Sequence, residues 1–424
     1  MGSELPVGWE AELLENCVSA IIDYRGKSPR KTSAGVPLIT AKIVKDGRIE
    51  PPTEFIADAD YDAWMRRGLP DSGDVLITTE APLGEVAQLD DTQVALAQRL
   101  ILLRGDPGRL QNDYLKYALQ SSFVQSQLKA RSTGTTVLGI RQSELRKVVL
   151  PLPPLGEQRR IADTLGALDD KIELSRRMNR TLESIARAIF QSWFVGFDPV
   201  RKKMEGGEVG LPSDLATFFP ESLEESAIGF VPRGWPVVPL SSLVDVNPKY
   251  QLARGSLTPY VEMSGLPTHG ARVTQRRLRE FTTGTRFRNG DVLVARITPC
   301  LENGKTALVD FLDSDVTAWG STEFLVLRPH ELIPSEYIYC LSRSNAFRDY
   351  AVGSMNGSSG RQRVPVEALE RLPIVQPPDG LLRAFGHVAH SAVAFMAEND
   401  RQSESLAELR DCLLPKLLLG EISM

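Results

Sequence analysis

Two short fragments carry the lysine and hydroxyl group that bind nucleotide phosphates in a Walker loop. Residues 26–28 read GKS and residues 304–306 read GKT. A Walker loop also needs a glycine five residues before the second one, because backbone amides between them cradle the phosphates. Those two positions hold Ile21 and Pro299. Neither fragment is therefore predicted to bind a nucleotide.

Other fragments that could do chemistry lack partners. Residues 247–250, NPKY, are similar to the NPPY signature of amino-methyltransferases but lack the second proline, and no glycine-rich cofactor loop accompanies them. His387 and His390 have no nearby cysteine and no convincing acidic partner in the sequence, which is more typical of residues beside a helix seam than of zinc ligands. His269 and His330 are isolated, and no GxSxG nucleophile elbow occurs. We predict no active site and no metal site in this chain.

Composition describes an ordinary globular protein. The chain has 424 residues, of which 42% are hydrophobic and 24% charged, and this length predicts two or three domains. No apolar run approaches the ~18 residues of a membrane span, and no secretory signal pattern opens the sequence. Four scattered cysteines without a CxxC pair argue against disulfides and favour a cytoplasmic protein. The net charge of −5 argues against indiscriminate coating of nucleic acid.

Basic residues nevertheless concentrate in two early loops. Residues 23–50 contain seven Lys or Arg against three acids, and residues 268–305 contain eight against three. The second loop is dominated by arginine, which suits bidentate reading of guanine edges and phosphates. Each half also has a later polar loop, RSTGTTVLGIRQ at 131–142 and GSSGRQRV at 357–364. Their amides, hydroxyls and basic groups are typical of phosphate and groove contacts.

Any one of these loops, taken alone, reads more simply as a solvated surface loop, but their recurrence in both halves favours DNA. We therefore predict a set of DNA-contacting residues in the loops and at the end of one β-like run. The set is Lys27, Arg30, Lys31, Lys42, Thr78, Thr79, Thr135, Arg141, Gln142, Arg276, Arg277, Arg279, Arg286, Arg296, Ser358, Ser359, Arg361, Gln362 and Arg363.

The second half of the sequence repeats the first. The offset between matching segments drifts between about 217 and 226 in the front part and holds at 224 from Leu145 onward, which indicates a duplicated unit with variable front loops. The matching pairs are PVGW and PRGW, SGDVLI and NGDVLV, NDYLKYAL and SEYIYCLS, and LRKVVLPLPP and LERLPIVQPP.

Each repeat is predicted to have the same layout of short strands, one helix, a proline-rich stop and a long helix. The helices are expected at 112–129 and 335–350, and residues 198–231 read as a linker with only local structure. The strands are expected at 74–78, 98–103, 291–297 and 323–327.

Both long helices carry a heptad seam, which is typical of a coiled coil. An ordinary amphipathic core helix is the alternative, but the seam, about 50 Å long, exceeds most globular helices. Arg410 interrupts the second seam, where Leu409 could replace it. The seams run Ile161, Leu165, Leu168, Ile172, Ser175, Asn179, Leu182, Ala186, Ile189, Trp193 and Phe385, Ala389, Ala392, Met396, Asn399, Ser403, Leu406, Arg410, Leu413, Leu417.

Polar residues occupy the same two central positions of each seam, and we expect them to fix the register of the pair. If the two helices pack antiparallel, these residues meet, and the two globular parts lie at opposite ends of the rod. The four residues are Ser175, Asn179, Asn399 and Ser403.

The whole chain resembles the specificity subunit of type I restriction-modification systems. The resemblance rests on the stretch from PLPPLGEQRRIADTLGALDD to FQSWF at 151–194, on LPSDLATFFPESLEESAIGFVPRGW at 211–235, and on the twofold repeat. The second helix departs from the family pattern, because PPDGLLRAFGHVAH at 377–390 replaces the usual PPLxEQxxI opening.

This resemblance implies a mixed α+β fold of two target-recognition domains separated by a long antiparallel two-helix coiled coil. Each domain would read one half of a bipartite double-stranded DNA target, and the helices would set the spacing and dock two methyltransferase subunits. The boundaries would be 1–155 for the first domain, 156–197 for the first helix, 198–231 for the linker, 232–379 for the second domain and 380–424 for the second helix.

The chain itself would be non-catalytic and cytoplasmic and would hold no cofactor. S-adenosylmethionine and ATP would belong to methyltransferase and restriction subunits. Two alternatives remain open at this point: a scaffold whose repeats bind only proteins, and a self-contained DNA methyltransferase that uses NPKY.

Overall fold

The computed structural model describes residues 6–24, 28–358 and 360–422. The chain divides into two compact units. The first unit runs to Glu173 and resumes at Ser403, and the second unit is the continuous segment Leu174–Gln402. Among the described residues, no helix is both long and apolar enough to cross a membrane.

The first unit is built from short strands followed by helices. Its strands are β1 (Glu10–Leu13), β2 (Val18–Asp23), β3 (Lys31–Thr32), β4 (Val36–Ile39), β5 (Val44–Lys45), β6 (Arg48–Ile49), β7 (Phe55–Ile56), β8 (Val75–Thr79), β9 (Leu83–Gln88), β10 (Ala95–Leu96), β11 (Leu100–Gly105) and β12 (Val149–Leu152). Its helices are α1 (Tyr61–Trp64), α2 (Asn112–Gln120), α3 (Ser122–Ala130), α4 (Gln142–Leu145) and the first part of α5 (Leu155–Phe190).

The second unit has the same kind of strand and helix order. Its strands are β13 (Leu223–Ser226), β14 (Gly229–Pro232), β15 (Val237–Pro239), β16 (Val244–Val246), β17 (Leu257–Val261), β18 (Arg277–Glu280), β19 (Thr285–Phe287), β20 (Val292–Ala295), β21 (Thr306–Leu308), β22 (Ala318–Gly320), β23 (Phe324–Pro329) and β24 (Pro373–Val375). Its helices are α6 (Asp198–Met204), α7 (Ser213–Ala216), α8 (Ser335–Ser342), α9 (Asn345–Gly353), α10 (Val366–Glu370) and most of α11 (Asp379–Leu418).

Both units contain the same antiparallel four-stranded sheet. Its strand order is β2-β11-β8-β9 in the first unit and β16-β23-β20-β21 in the second. Alternate residues of β8 enter different cores: Val75 and Ile77 pack with α2 and α3, whereas Leu76 packs under the smaller sheet. In β20, Val292 and Leu293 divide in the same way. Burial on both faces explains why these strands read as continuous apolar runs.

A smaller sheet covers one face of each main sheet and differs between the units. Its order is β10-β4-β7-β3 in the first unit and β18-β17-β22-β19 in the second. The parallel pair β4–β10 corresponds to β17–β22. Among the described strands, the edge strand β3 of the first unit has no counterpart in the second unit, and β19 of the second unit has none in the first. The smaller sheets and front loops therefore differ between the two repeats, as the drifting sequence offset predicts.

The predicted single helices at 112–129 and 335–350 were wrong. Each is two helices, broken at Ser121 and at Ser344. Both serines have extended backbone angles and accept a hydrogen bond at 3.2 Å, from the amides of Val124 and Phe347. A serine N-cap of this kind ends one helix and starts the next.

The segment 198–231 is more ordered than its composition indicates. It contains α6, α7 and the β13–β14 hairpin, and it buries Val200 and Phe219 in the core of the second unit. The Lys203 ammonium donates to the carbonyl oxygens of Ala216 and Phe219 at 2.8 and 2.6 Å. These contacts make the segment part of the second unit.

The two long helices pack antiparallel within each unit. In the first unit, Ile161 of α5 shares a core with Leu417 of α11. In the second unit, Phe190 stacks edge-on against Phe385 with centroids 6.1 Å apart. Helix α5 ends at Phe190 and continues into a π-helical turn at Gln191–Val195.

Leu409 does not replace Arg410 in the seam, so that expectation was wrong. Leu409 is 47% exposed, whereas Arg410 is half-buried and donates to Asp169 of α5 at 2.8 Å. A half-buried carboxylate on the facing helix therefore keeps the arginine in the seam.

Candidate nucleic-acid interface

One face of the smaller sheet in the second unit carries a row of arginines and aromatic rings. Arg277, Tyr260, Trp319 and Arg286 lie directly opposite one another across β18, β17, β22 and β19. Residues paired in this way project from the same face of a sheet. The sheet therefore collects on one surface residues that are far apart in the sequence.

The rings hold the guanidinium groups by cation–π contact. The Arg279 guanidinium carbon lies 4.8 Å from the Tyr260 ring centre and 5.4 Å from that of Trp319. Arg286 lies 5.4 Å from the Phe281 ring centre, and Phe281 stacks edge-on against Trp319. We call the surface formed by these side chains the Arg–aromatic face. Its residues are Tyr260, Arg277, Arg279, Phe281, Arg286 and Trp319.

Two arginines of this face already have partners. Arg277 forms an ion pair with Glu262, and Arg286 donates to the Tyr250 carbonyl oxygen. Arg279 is exposed, and its guanidinium has no hydrogen-bond or ion-pair partner within the described part of the chain. The neighbouring Arg276 is also exposed and lies 4.9 Å from the Phe311 ring centre. Unsatisfied guanidinium donors on the surface can bind base edges or phosphates.

The polar loop at 131–142 is held at its ends and exposed at its tip. Thr133 and Gly139 exchange backbone hydrogen bonds, and the Ile140 amide donates to the Thr79 carbonyl oxygen at 3.0 Å. Thr135 and Arg141 are exposed. Gln142, which is half-buried, begins α4.

The second polar loop has the same anchored base. The amides of Asn356 and Arg363 each donate to the other's carbonyl oxygen. The Arg363 guanidinium donates to the Glu323 carboxylate through three contacts of 2.6 to 3.0 Å. These hydrogen bonds raise the pKa of Arg363. Ser358 and Arg361 are exposed at the tip, Gln362 is half-buried, and Ser359 lies outside the described residues.

Candidates in the first unit fall into three groups. Lys27 lies outside the described residues. Arg30 and Lys42 are exposed, and Lys31 pairs with Glu54 at 2.7 Å. These basic side chains remain candidates for DNA contact.

Thr78 and Thr79 do not fit the predicted role. Both are buried, and the Thr78 hydroxyl accepts a hydrogen bond from the Glu85 amide at 2.9 Å. Arg296 is half-buried and donates to the Val364 carbonyl oxygen at 3.0 Å. The structure therefore assigns Thr78 and Thr79 to the fold rather than to the surface, and it engages Arg296 at the base of the second polar loop.

Sequence reasoning missed the aromatic partners of the arginines. Tyr260 and Trp319 lie outside the basic loop and reach the arginines only through strand pairing. It also missed that Arg272, counted among the basic loop residues, forms ion pairs with Asp310 and Asp400. Aromatic residues in the strands that flank an arginine-rich segment were the available signal.

A buried carboxylate–arginine pair recurs in both main sheets. Asp74 accepts from Arg104 at 2.8 and 2.6 Å, and Asp291 pairs with Arg328 at 2.7 Å. Burial raises the pKa of Asp291 to about 6, although the Arg288 amide and the Arg328 charge oppose this. Both aspartates follow the glycine of the repeated GDVL motif, so this motif is structural.

The fragments considered for catalysis have internal partners. Asn247 of NPKY exchanges hydrogen bonds with the backbone of Val326, and the Tyr250 hydroxyl donates to Asp291 at 3.1 Å. His390 lies 3.0 Å from Glu336. Among the residues that the structure describes, no group of three or more His, Cys, Asp or Glu side chains could hold a metal ion.

The predicted meeting of polar residues in the helix seam is confirmed for one pair. Within the second unit, the Asn399 side-chain amide donates to the side-chain Oδ1 of Asn179 at 2.8 Å. Asn179 in turn donates to Asp400 at 2.7 Å. Ser175 is buried and Ser403 is half-buried in their own units.

Comparisons with known proteins agree with this architecture. A family model described as the type I restriction modification DNA specificity domain matches residues 34–184. The type I restriction enzyme MjaIX specificity subunit of Methanocaldococcus jannaschii is 24% identical over 369 residues, covering 82% of this chain and 78% of that protein. The HindI specificity subunit of Haemophilus influenzae is 24% identical over 338 residues, covering 69% and 73%.

A solved structure shares the fold over nearly the whole length. The type I restriction-modification S subunit from M. genitalium superposes with a TM-score of 0.51 at 16% identity, covering 98% of each chain.

The repeated sheets and the long helices define an α+β protein of two compact units, each with exposed basic side chains in its loops. The chain is similar to the specificity subunits of type I restriction-modification systems, and the family match covers residues 34–184.

Proposed function

We propose that the chain reads a bipartite DNA target, with one half-site for each repeated domain. The observation that supports this proposal is the repetition, in both units, of one main sheet next to a polar loop with an exposed arginine, Arg141 in one and Arg361 in the other. Two copies of one DNA-contacting domain suit two short sequences separated by a gap, because each domain can contact only a few base pairs.

We further propose that the long helices set the gap and dock two methyltransferase subunits. Helices α5 and α11 are continuous over 36 and 40 residues. In the second unit, α5 exposes Leu174, Met178 and Ile185, and α11 exposes Phe395. Exposed apolar side chains at helical spacing favour a protein partner that covers them.

The chemistry would belong to the partners. Methyltransferase subunits would supply S-adenosylmethionine and methylate adenine, and restriction subunits would supply ATP-driven translocation and cleavage. This chain would hold no cofactor, and the complex would act in the cytoplasm, where chromosomal DNA is accessible.

The test is to co-express the chain with its neighbouring methyltransferase subunit and map adenine methylation across the host DNA. We expect a motif of two short specific halves around a fixed gap. A formed complex that neither methylates nor binds DNA would contradict the proposal and favour a protein scaffold. DNA affinity that falls steeply with salt is a second expectation, since phosphate contacts release counterions.

A further inference from the structure

We propose that the second unit reads guanine through the Arg–aromatic face, with Arg279 as the residue that sets base preference. This inference rests on the proposed function and adds the chemistry of one half-site. It concerns the strand β18, whose four residues are all exposed at the edge of the smaller sheet.

Arg279 is held in place without using its donors. Its guanidinium lies against the Tyr260 and Trp319 rings at 4.8 and 5.4 Å. Trp319 is 2% exposed and therefore fixed. Stacking of this kind removes side-chain freedom before binding, so less entropy is lost when hydrogen bonds form. The guanidinium is thus both oriented and free to donate.

The geometry of the strand suits a groove. β17 and β18 form an antiparallel ribbon with Thr258 opposite Arg279 and Tyr260 opposite Arg277. The major groove of DNA admits a two-stranded ribbon, and arginine there makes paired hydrogen bonds to the O6 and N7 atoms of guanine. The exposed edge strand β18, paired with β17 and carrying an oriented arginine, has the components of that contact.

The local charges argue against a plain phosphate patch. Arg277 is paired with Glu262, and Arg286 is held against the Tyr250 carbonyl oxygen. The Glu262 carboxylate that pairs with Arg277 repels phosphates. An arginine with unused donors beside this pair is therefore better suited to a base edge than to a phosphate.

Within its described residues, the first unit has no equivalent face. The strands of its smaller sheet read KT, VPLI, FI and AL, without arginine. Loss of Arg279 should therefore change the reading of one half-site and leave the other unchanged.

The experiment uses the complex of the full chain with its methyltransferase subunit. Arg279→Ala and Arg279→Lys are compared with the wild type by mapping methylated motifs and by measuring DNA affinity. Arg371→Ala, an exposed arginine of the same unit outside this face, is the matched control. Thermal unfolding confirms that each variant is folded.

We expect both Arg279 variants to lose preference at one G·C pair of one half-site by about tenfold or more. Lysine should restore part of the affinity but not the preference, because it cannot make the paired contact. The control should match the wild type.

Uniform loss of affinity for all sequences, rescued by lysine, would make Arg279 a phosphate contact and overturn the inference. Unchanged motifs in both variants would also overturn it. A wild-type complex without a bipartite motif would remove the proposed function itself, and the inference with it.

Discussion

At the scale of single residues, Asp169 joins three parts of the first unit. Its carboxylate accepts hydrogen bonds from Lys116 at 2.8 Å, from the Tyr117 hydroxyl at 2.9 Å and from Arg410 at 2.8 Å. Burial alone would raise the pKa of Asp169, but the Lys116 charge and these hydrogen bonds outweigh burial and lower the pKa. The ionised carboxylate therefore stabilises the folded state.

Replacing Asp169 by Asn should destabilise the first unit at neutral pH by about 2 kcal/mol, the scale of a lost hydrogen bond to a charged group. A carboxyl whose pKa falls on folding contributes stability above its unfolded value of about 4 and loses that contribution as pH falls through the folded value. Denaturant unfolding at pH 7 and near pH 3 measures the free energy of unfolding of the wild type and the variant. The difference between the two free energies should be smaller near pH 3 than at pH 7.

The control is Asp170→Asn, since Asp170 is exposed on the same helix. An Asp169 variant as stable as this control at pH 7 would contradict the role given to the carboxylate.

Substitution of Arg141 or Arg361 tests whether the polar loops contact DNA. Replacement of either by Ala should weaken DNA binding by the assembled complex severalfold and reduce its salt dependence, with little change in thermal unfolding. Both side chains are exposed, so the fold should tolerate their loss. Unchanged affinity in a folded variant would remove that residue from the interface.

At the scale of elements, the polar pair in the helix seam sets register at a cost in stability. Asn179 and Asn399 bond to each other inside a seam that is otherwise mostly apolar, next to buried Met396. Polar residues at such positions lower stability and restrict the allowed alignment. The pair therefore favours one alignment of the two helices within the second unit.

Asn179→Leu alone should lower the melting temperature, because it removes the hydrogen bonds of Asn179 with Asn399 and with Asp400. The double variant with Asn399→Leu should recover or exceed wild-type stability, since two apolar residues replace the pair. Thermal unfolding of the single and double variants provides the measurement. A single variant as stable as the wild type would mean that the hydrogen bond carries no weight.

The sequence predicted the elements that depend on periodicity. The heptad seam, the buried runs in β8, β11, β20 and β23 and the repeat follow from local pattern, and the structure contains them. The breaks at Ser121 and Ser344 were missed, because an N-cap serine inside an apolar pattern resembles a helical residue.

The candidate site was predicted only in part, for a related reason. Arginine density located the basic loops, and Arg276 and Arg279 are exposed there. The Tyr260 and Trp319 rings could not be found, because the pairing of β17 with β22 joins residues about 60 positions apart. Burial of Thr78 likewise depends on tertiary packing.

At the scale of the whole molecule, the length of the helices predicts the length of the unspecified gap in the DNA target. One heptad is about 10 Å of helix, or about three base pairs of B-DNA. Deleting residues 176–182 of α5 together with 396–402 of α11, which include the facing Asn179 and Asn399, keeps the heptad pattern and should shorten the unspecified gap by about three base pairs. Methylation mapping of the co-expressed complex measures the gap.

Deletion from α5 alone is the comparison, and it should mismatch the seam and lower stability. A double deletion that folds, methylates and retains the original gap would contradict the idea that the helices set the spacing.

The order of the two units along the chain also has a consequence for synthesis. The second unit is one uninterrupted segment, whereas the core of the first unit needs Leu417 and Leu418 from the end of α11. Because a ribosome releases the chain from its N-terminus onward, the unit whose residues emerge first completes its core last. Until then, Ile161 and Leu165 lack the residues of α11 that complete their core. In nascent chains, the first unit should therefore be more vulnerable to proteases and to aggregation than the second unit.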